Sequence, residues 1–133
     1  MWKKIINLLK SKSLKFIDYG AFLERDCDYQ DYITNQYKGF IKNEFNFGIS
    51  ICRSGQGVNI SSNHTGFTSA LIYDNWSAQM AIEHNNCNCV FFSERLVSKR
   101  NYNIEDIIEI ILEKKFLGGR FLDRFVKVKN NRI

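Results

Sequence analysis

Apolar positions along this chain switch repeatedly between a helical and a strand period. At residues 2–12 they fall at Trp2, Ile5, Ile6, Leu8 and Leu9, with lysines on the other side, which predicts an amphipathic helix. Residues 14–19 (LKFIDY) alternate apolar and polar and stop at Gly20, which predicts a strand. Tyr29, Ile33, Tyr37, Phe40 and Ile41 return to helical spacing and predict a helix over 30–42. A short β-branched run at 47–51 predicts a buried strand, followed by a short helix over 57–63 and a strand over 67–73. Asp74 is a candidate N-cap, since its carboxylate can accept from the exposed N–H groups of a first helical turn. That helix is predicted to run to about Asn85, with Ala78, Ala81 and Ile82 inward. A last strand is predicted over 89–92. Asn103 precedes a strongly periodic helix over 104–116, with Ile107, Ile108, Ile111 and Leu112 inward. Gly118-Gly119 interrupts it, and a terminal helix is predicted over 119–128. Alternation of this kind predicts an α/β fold, with a parallel sheet covered by helices on both faces.

Composition narrows the class. With 133 residues the chain is one domain, 1–133, with enough length for a real core. No run of eighteen apolar residues occurs, so no membrane span is expected. Lys10, Lys12 and Lys15 interrupt the apolar start, which argues against a signal peptide. Four cysteines without such a signal are expected to be reduced thiols in a cytoplasm. Cys87-Asn88-Cys89 is tighter than the usual zinc pair and has no matching second pair, so no metal is expected. If that segment is a strand, both thiols face one side. The net charge of +5 is scattered, with no basic run interleaved with aromatics. A solvated surface with a few phosphate-binding arginines accounts for it, and no nucleic-acid partner is expected.

Three stretches carry candidate chemistry. Residues 47–63 (FGISICRSGQGVNISSN) read as strand, small flexible loop and helix start, with Cys52 at the strand's carboxyl end. Backbone N–H groups exposed at such a junction bind anions. A thiol there is a candidate base or nucleophile, although a plain buried cysteine ending a core strand fits the same residues. His84 ends a predicted helix, where an imidazole is either a dipole partner or an acid/base group. Arg120 and Arg124 stand four apart on a predicted helix, so both guanidinium groups share a face and can clamp a phosphate. Arg95, just after the last strand, is a third cation of this kind. A nucleotide-binding module could use the same strand-end loop, but no acidic ribose partner is evident.

Together these pieces resemble the B-type ribose-5-phosphate isomerases and the related galactose-6-phosphate isomerase subunits. The family's Cys-Gly-Thr-Gly-x-Gly loop is similar to Cys52-Arg53-Ser54-Gly55-Gln56-Gly57, and its Ala-Ala-Asn to Ser61-Ser62-Asn63. Its Tyr-Ser-Ala and Glu-His-Asn resemble Trp76-Ser77-Ala78 and Glu83-His84-Asn85. Its Gly-Gly-Arg-x-x-x-Arg matches residues 118–124, and Asp-Tyr-Pro resembles Asp28-Tyr29-Gln30. The resemblance implies a three-layer Rossmann-like fold and an aldose–ketose isomerase acting on ribose 5-phosphate and ribulose 5-phosphate through an enediolate. No cofactor is implied. Cys52 is then the base, Ser54 and the N–H groups of Gly55 and Gly57 stabilise the enediolate, and His84 assists ring opening. Asp28, Tyr29 and Asn85 contact the sugar, while Arg95, Arg120 and Arg124 hold the phosphate. The family is dimeric or larger (a homodimer or dimer of dimers) with its site between subunits, so His84 and Arg95 are expected from the neighbouring chain. Two departures stand out. Arg53 replaces a loop glycine. The family's first strand, with its Asp-His-Ala-Gly motif, has no counterpart, so the domain is expected to be N-terminally truncated relative to the family, with two strand edges unpaired. A catalytically impaired copy, or a subunit that binds sugar phosphates without turnover, is the alternative.

Overall fold

Three of the four predicted strands pair into one parallel sheet. The computed structural model describes residues 1–22, 26–100 and 102–131. In chain order its elements are α1 (Trp2–Ser11), α2 (Tyr29–Ile41), β1 (Gly48–Cys52), α3 (Gln56–Thr65), β2 (Ser69–Ile72), α4 (Asn75–Glu83), β3 (Cys89–Ser93), α5 (Glu94–Arg100), α6 (Ile104–Glu113) and α7 (Arg120–Asn130). The strand order is β1-β3-β2. Gly48 lies level with Cys89, and Cys52 with Ser93; Ser69 also lies level with Cys89.

Alternation along the strands feeds two separate cores. Val90 and Phe92 of β3 pack with Ile72, Ala78, Ile82, Ile107 and Ile108 on one face, beneath α1, α4 and α6. Cys89 and Phe91 face the other way and pack with Ile33, Val58 and Phe67, beneath α2 and α3. Helices therefore cover both faces, as the alternating pattern predicts, and every residue of β3 is buried. Capping fixes the helix starts. Asp74 accepts from the Ser77 N–H at 2.6 Å in a reciprocal capping box, and Asn103 accepts from the N–H groups of Glu105 and Asp106.

The structure departs from expectation in several places. Residues 14–19 join no ladder, although their alternation fits a strand. A strand needs a partner edge, and β1 stands apart from this segment across a cleft. Tyr19 pins the segment instead, donating to the Glu44 carboxylate at 3.1 Å and meeting the Phe45 ring edge-on. One of the two expected open edges is therefore found, that of β1. Helix α5 goes unforeseen because seven residues are too few to express a period; its signal is local, with the Ser93 hydroxyl accepting from the Leu96 N–H at 3.2 Å. Cys87 precedes β3 and packs in the α4/α6 core, whereas Cys89 packs in the α2/α3 core, so the two thiols do not share a face. Leu112, expected inward, is 42% exposed, at the edge of the α6 stripe in the last turn.

Candidate active site

The carboxyl end of β1 opens into the loop that sequence singled out. Cys52 is half-buried and packs toward the α2/α3 side. The loop is held by one inward carbonyl: Arg53 O accepts from the Ser93 hydroxyl at 2.8 Å and from the Arg95 N–H at 3.3 Å. The end of β1 and the start of α5 are thereby tied together. Ser54 Oγ accepts from the Gln56 N–H at 3.3 Å, tightening the turn into α3. Gly55 caps α3 in the left-handed region at φ +79°, and a Cβ there would run into Leu71 Cδ1. Gly57 lies in the first turn of α3, where backbone N–H groups lack intrahelical partners.

Gly55→Ala tests this turn. Left-handed backbone costs a non-glycine residue about 1–2 kcal/mol, and the Leu71 clash adds to it. The expected outcome is a fall in the midpoint of urea unfolding with an unchanged slope, accompanied by loss of any activity that uses the loop.

Tyr29 also belongs here. A Cβ on Gly57 would stand 3.0 Å from its hydroxyl oxygen, so the phenol lies directly over the glycine. Tyr29 and Cys52 line one cleft of about 620 Å³, together with Glu94. Glu94 was not singled out in the sequence; it follows Ser93, which the β1–β3 register, visible only in the structure, sets level with Cys52. Asp28 is occupied in capping α2, its carboxylate accepting from the Gln30 N–H at 2.9 Å. Arg95 is exposed, and its backbone sits at the same end of the sheet as Cys52.

A second group forms elsewhere. Helix α4 carries the chain from the carboxyl end of β2 back to the amino end of β3, so His84, its C-cap, lies toward the amino ends of the strands. Cys52 lies at their carboxyl ends. The His84 ring stacks on Phe121 with centroids 3.9 Å apart and planes at 17°. The Arg120 guanidinium covers the same Phe121 ring at 5.0 Å. Phe121 is a contact that sequence reasoning did not anticipate. Arg124 follows one turn along α7. Asn85 turns its amide back to the Met80 carbonyl at 2.8 Å, closing the end of α4. Beside it, a hydrogen bond from Gln79 and the nearby Lys114 ammonium hold the Glu83 carboxyl below its ordinary range.

The residues singled out in the sequence thus fall into two clusters. Cys52, Ser54, Gly55, Gly57, Asp28, Tyr29 and Arg95 gather around the end of β1; the backbone of Arg95, expected from the neighbouring chain, is tied to the Cys52 loop of its own chain because α5 starts level with the end of β1. His84, Asn85, Arg120 and Arg124 gather where α4 ends and α7 begins. A single chain does not bring His84 to Cys52.

A model of the Ribose/Galactose Isomerase family matches residues 1–128. The chain belongs to the ribose/galactose isomerase family. That makes it a member of a family of sugar-phosphate isomerases. Its fold is similar to a ribose 5-phosphate isomerase of Thermotoga maritima, with 31% identity and a TM-score of 0.85 over 95% of this chain and 86% of that one. It is likewise similar to ribose-5-phosphate isomerase B of Mycoplasma genitalium with bound ribulose-5-phosphate, at 30% identity and a TM-score of 0.83, covering 95% of this chain and 84% of that one. Ribose-5-phosphate isomerase B of Escherichia coli is 27% identical over 122 residues, 91% of this chain and 80% of the relative. Among the described residues no helix is long and apolar enough to cross a membrane.

Proposed function

We propose that this protein is a cytoplasmic isomerase interconverting ribose 5-phosphate and ribulose 5-phosphate, with its site shared between two copies of the chain. The observation that carries the reading is the Cys52 thiol at the end of β1, opening on the same cleft as Tyr29 and followed by the glycine loop. The Cys52 thiolate takes the C2 proton of the open-chain aldose. The C2–H electron pair moves into a C1–C2 double bond, the carbonyl oxygen takes up the charge, and the enediolate results. Returning the proton to C1, with proton exchange between O1 and O2, gives the ketose. The Ser54 hydroxyl and the N–H groups of Gly55 and Gly57 stabilise the charged oxygens, an electrostatic role that is large in a partly dry site. Asp28 and Tyr29 contact the sugar from this chain. His84 protonates the ring oxygen during opening, and Asn85 contacts the sugar, both from the neighbouring copy. Arg95, Arg120 and Arg124 bind the phosphate.

Helix α7 supports the shared site. Its apolar positions, including Leu122 and Val126, are 46% and 45% exposed, and it buries no residue in its own chain. Packed on a second copy, that stripe would carry Arg120 and Arg124 across with it. The direct test mixes two inactive variants, Cys52→Ala and His84→Ala. In a randomly exchanged two-fold dimer, half of the molecules are mixed and each regains one intact site, so about a quarter of wild-type activity returns. No recovery on mixing, with both variants folded and able to exchange, rejects the shared site. No turnover of ribose 5-phosphate by the wild type rejects the isomerase.

Arg124→Ala is expected to raise KM about 10- to 100-fold with a smaller change in kcat, the effect of losing one charge-assisted bond to phosphate. Steady-state kinetics against ribose 5-phosphate checks the split. The unpaired edge of β1 favours one second reading, a subunit that binds sugar phosphates without turning them over. Calorimetric binding of ribose 5-phosphate together with a blank isomerase assay would establish it.

A further inference from the structure

Aldose–ketose isomerisation moves two protons, and Cys52 serves only the one on carbon. Once the C2 proton is removed, the enediolate holds its charge on O1 and a proton on O2. The ketose needs the reverse, a proton on O1 and a carbonyl at C2. A group between the two oxygens must take one proton and give one back.

Glu94 stands where that group is needed. The β1–β3 register sets Ser93 level with Cys52, so Glu94 lies one residue past that level, at the carboxyl ends of the strands. Neighbouring strands are about 4.8 Å apart, so a side chain of this length starting there reaches over the end of β1. Glu94, Cys52 and Tyr29 line one cleft. The backbone is fixed on both sides of Glu94, because the Arg53 carbonyl accepts from the Ser93 hydroxyl at 2.8 Å and from the Arg95 N–H at 3.3 Å. The carboxylate itself is uncommitted: among the described residues it forms no ion pair and no side-chain hydrogen bond. Other polar groups of the cleft are engaged or unsuited. The Asp18 carboxylate accepts from the Gly20 N–H at 2.9 Å. The Ser50 hydroxyl donates to Gln36 at 3.3 Å. Lys3 only donates, and Tyr29 offers a single oxygen.

We infer that, given the isomerase reading, Glu94 is a further catalytic residue whose carboxylate carries the enediolate proton from O2 to O1. The O2–H bond breaks as one carboxylate oxygen takes the proton, and the O1–H bond forms as the carboxyl group gives a proton back. Charge passes from O1 to O2, the carboxylate ends as it began, and no co-reactant enters. Return of the Cys52 proton to C1 then lets the charge on O2 collapse into the C2 carbonyl. Two acceptor oxygens on one planar group suit O1 and O2, which a cis-enediolate holds side by side.

The test separates proton removal from carbon and proton transfer between oxygens. Ribose 5-phosphate is incubated with the full chain in D2O. Early in the reaction, NMR reads deuterium at C2 of the recovered aldose alongside the ketose formed. Glu94→Gln keeps the size of the side chain but takes up no proton. Its kcat for ketose formation is expected to fall about 10²-fold, the low end for a positioned acid–base group, with KM little changed. Cys52 still forms the enediolate, which now returns to aldose. The ratio of C2 exchange to isomerisation is therefore expected to rise about 10-fold or more. Glu94→Asp, one methylene shorter, is expected to bring the ratio part of the way back. Thermal melts that match the wild type confine the comparison to folded protein. Loss of exchange and isomerisation in equal proportion in the Gln variant overturns the role, since a general disturbance of the site does the same. Wild-type turnover in that variant overturns it too. In both cases the wild type stays active and the isomerase reading stands. A wild type that neither exchanges nor isomerises overturns that reading and this role with it.

Discussion

Cys52→Ala is expected to lower kcat for ribose 5-phosphate by about 10²–10⁴-fold, the usual contribution of a positioned base. In the proposed mechanism the enediolate step has no substitute for that base, because Ser54 and the loop N–H groups would stabilise charge but accept no carbon-bound proton. Folding should survive. The side chain is half-buried at a strand end, and the loop is held by the Arg53 carbonyl, Ser93 and Arg95 rather than by the thiol. Thermal melts of wild type and variant should therefore lie close together while turnover collapses, and KM should change little. Wild-type turnover in the variant would remove Cys52 from the mechanism and leave the glycine loop as a binding element only.

The second large effect is loss of stability in base. Burial pushes the thiols of Cys87 and Cys89 up from 9.0 to about 12. Below about pH 9 both the folded and the unfolded chain keep these protons, and pH has no leverage through them. Between pH 9 and 12 the unfolded chain gives up protons that the folded chain retains, so stability falls as pH rises. Each thiol contributes a slope of about 1.4 kcal/mol per pH unit. The pair is therefore expected to cost about 2.7 kcal/mol per unit across that window, comparable with much of a small domain's stability. Urea unfolding at several pH values should show this slope in the wild type. The Cys87→Ala/Cys89→Ala double variant should lose it, and the comparison cancels the titration of lysines and tyrosines. An identical pH slope in both proteins would mean that these thiols are not held protonated by burial.

The fold and the loop were legible in the sequence for physical reasons that also explain the failures. Periodicity reports burial of one face. It found α1, α2, α4 and α6 because their stripes meet a core, and it found β1, β2 and β3 because both faces of the sheet are covered. Periodicity does not report pairing, so residues 14–19 read as a strand while no edge lies beside them. It also needs length, which α5 lacks. The loop was legible through residue type, since Gly55 takes a backbone conformation that penalises other residues. Stacking of His84 on Phe121 was not legible, because it joins residues 37 positions apart through an irregular connection. Nor was the separation of His84 from Cys52 evident from spacing. It follows from the direction in which α4 returns the chain, a property of topology.

That topology also governs how the chain can be made. In the order β1-β3-β2, the strand in the middle is the last of the three in sequence. Among the described residues β1 and β2 each pair only with β3, so neither has its ladder partner until residues 89–93 have been made. Every ladder hydrogen bond of the sheet waits for Cys89–Ser93 to emerge. A nascent chain stalled before that point lacks the described ladder, and its apolar strands lie open to chaperones and to aggregation. Completion of the described sheet is therefore a late event in the synthesis of this chain.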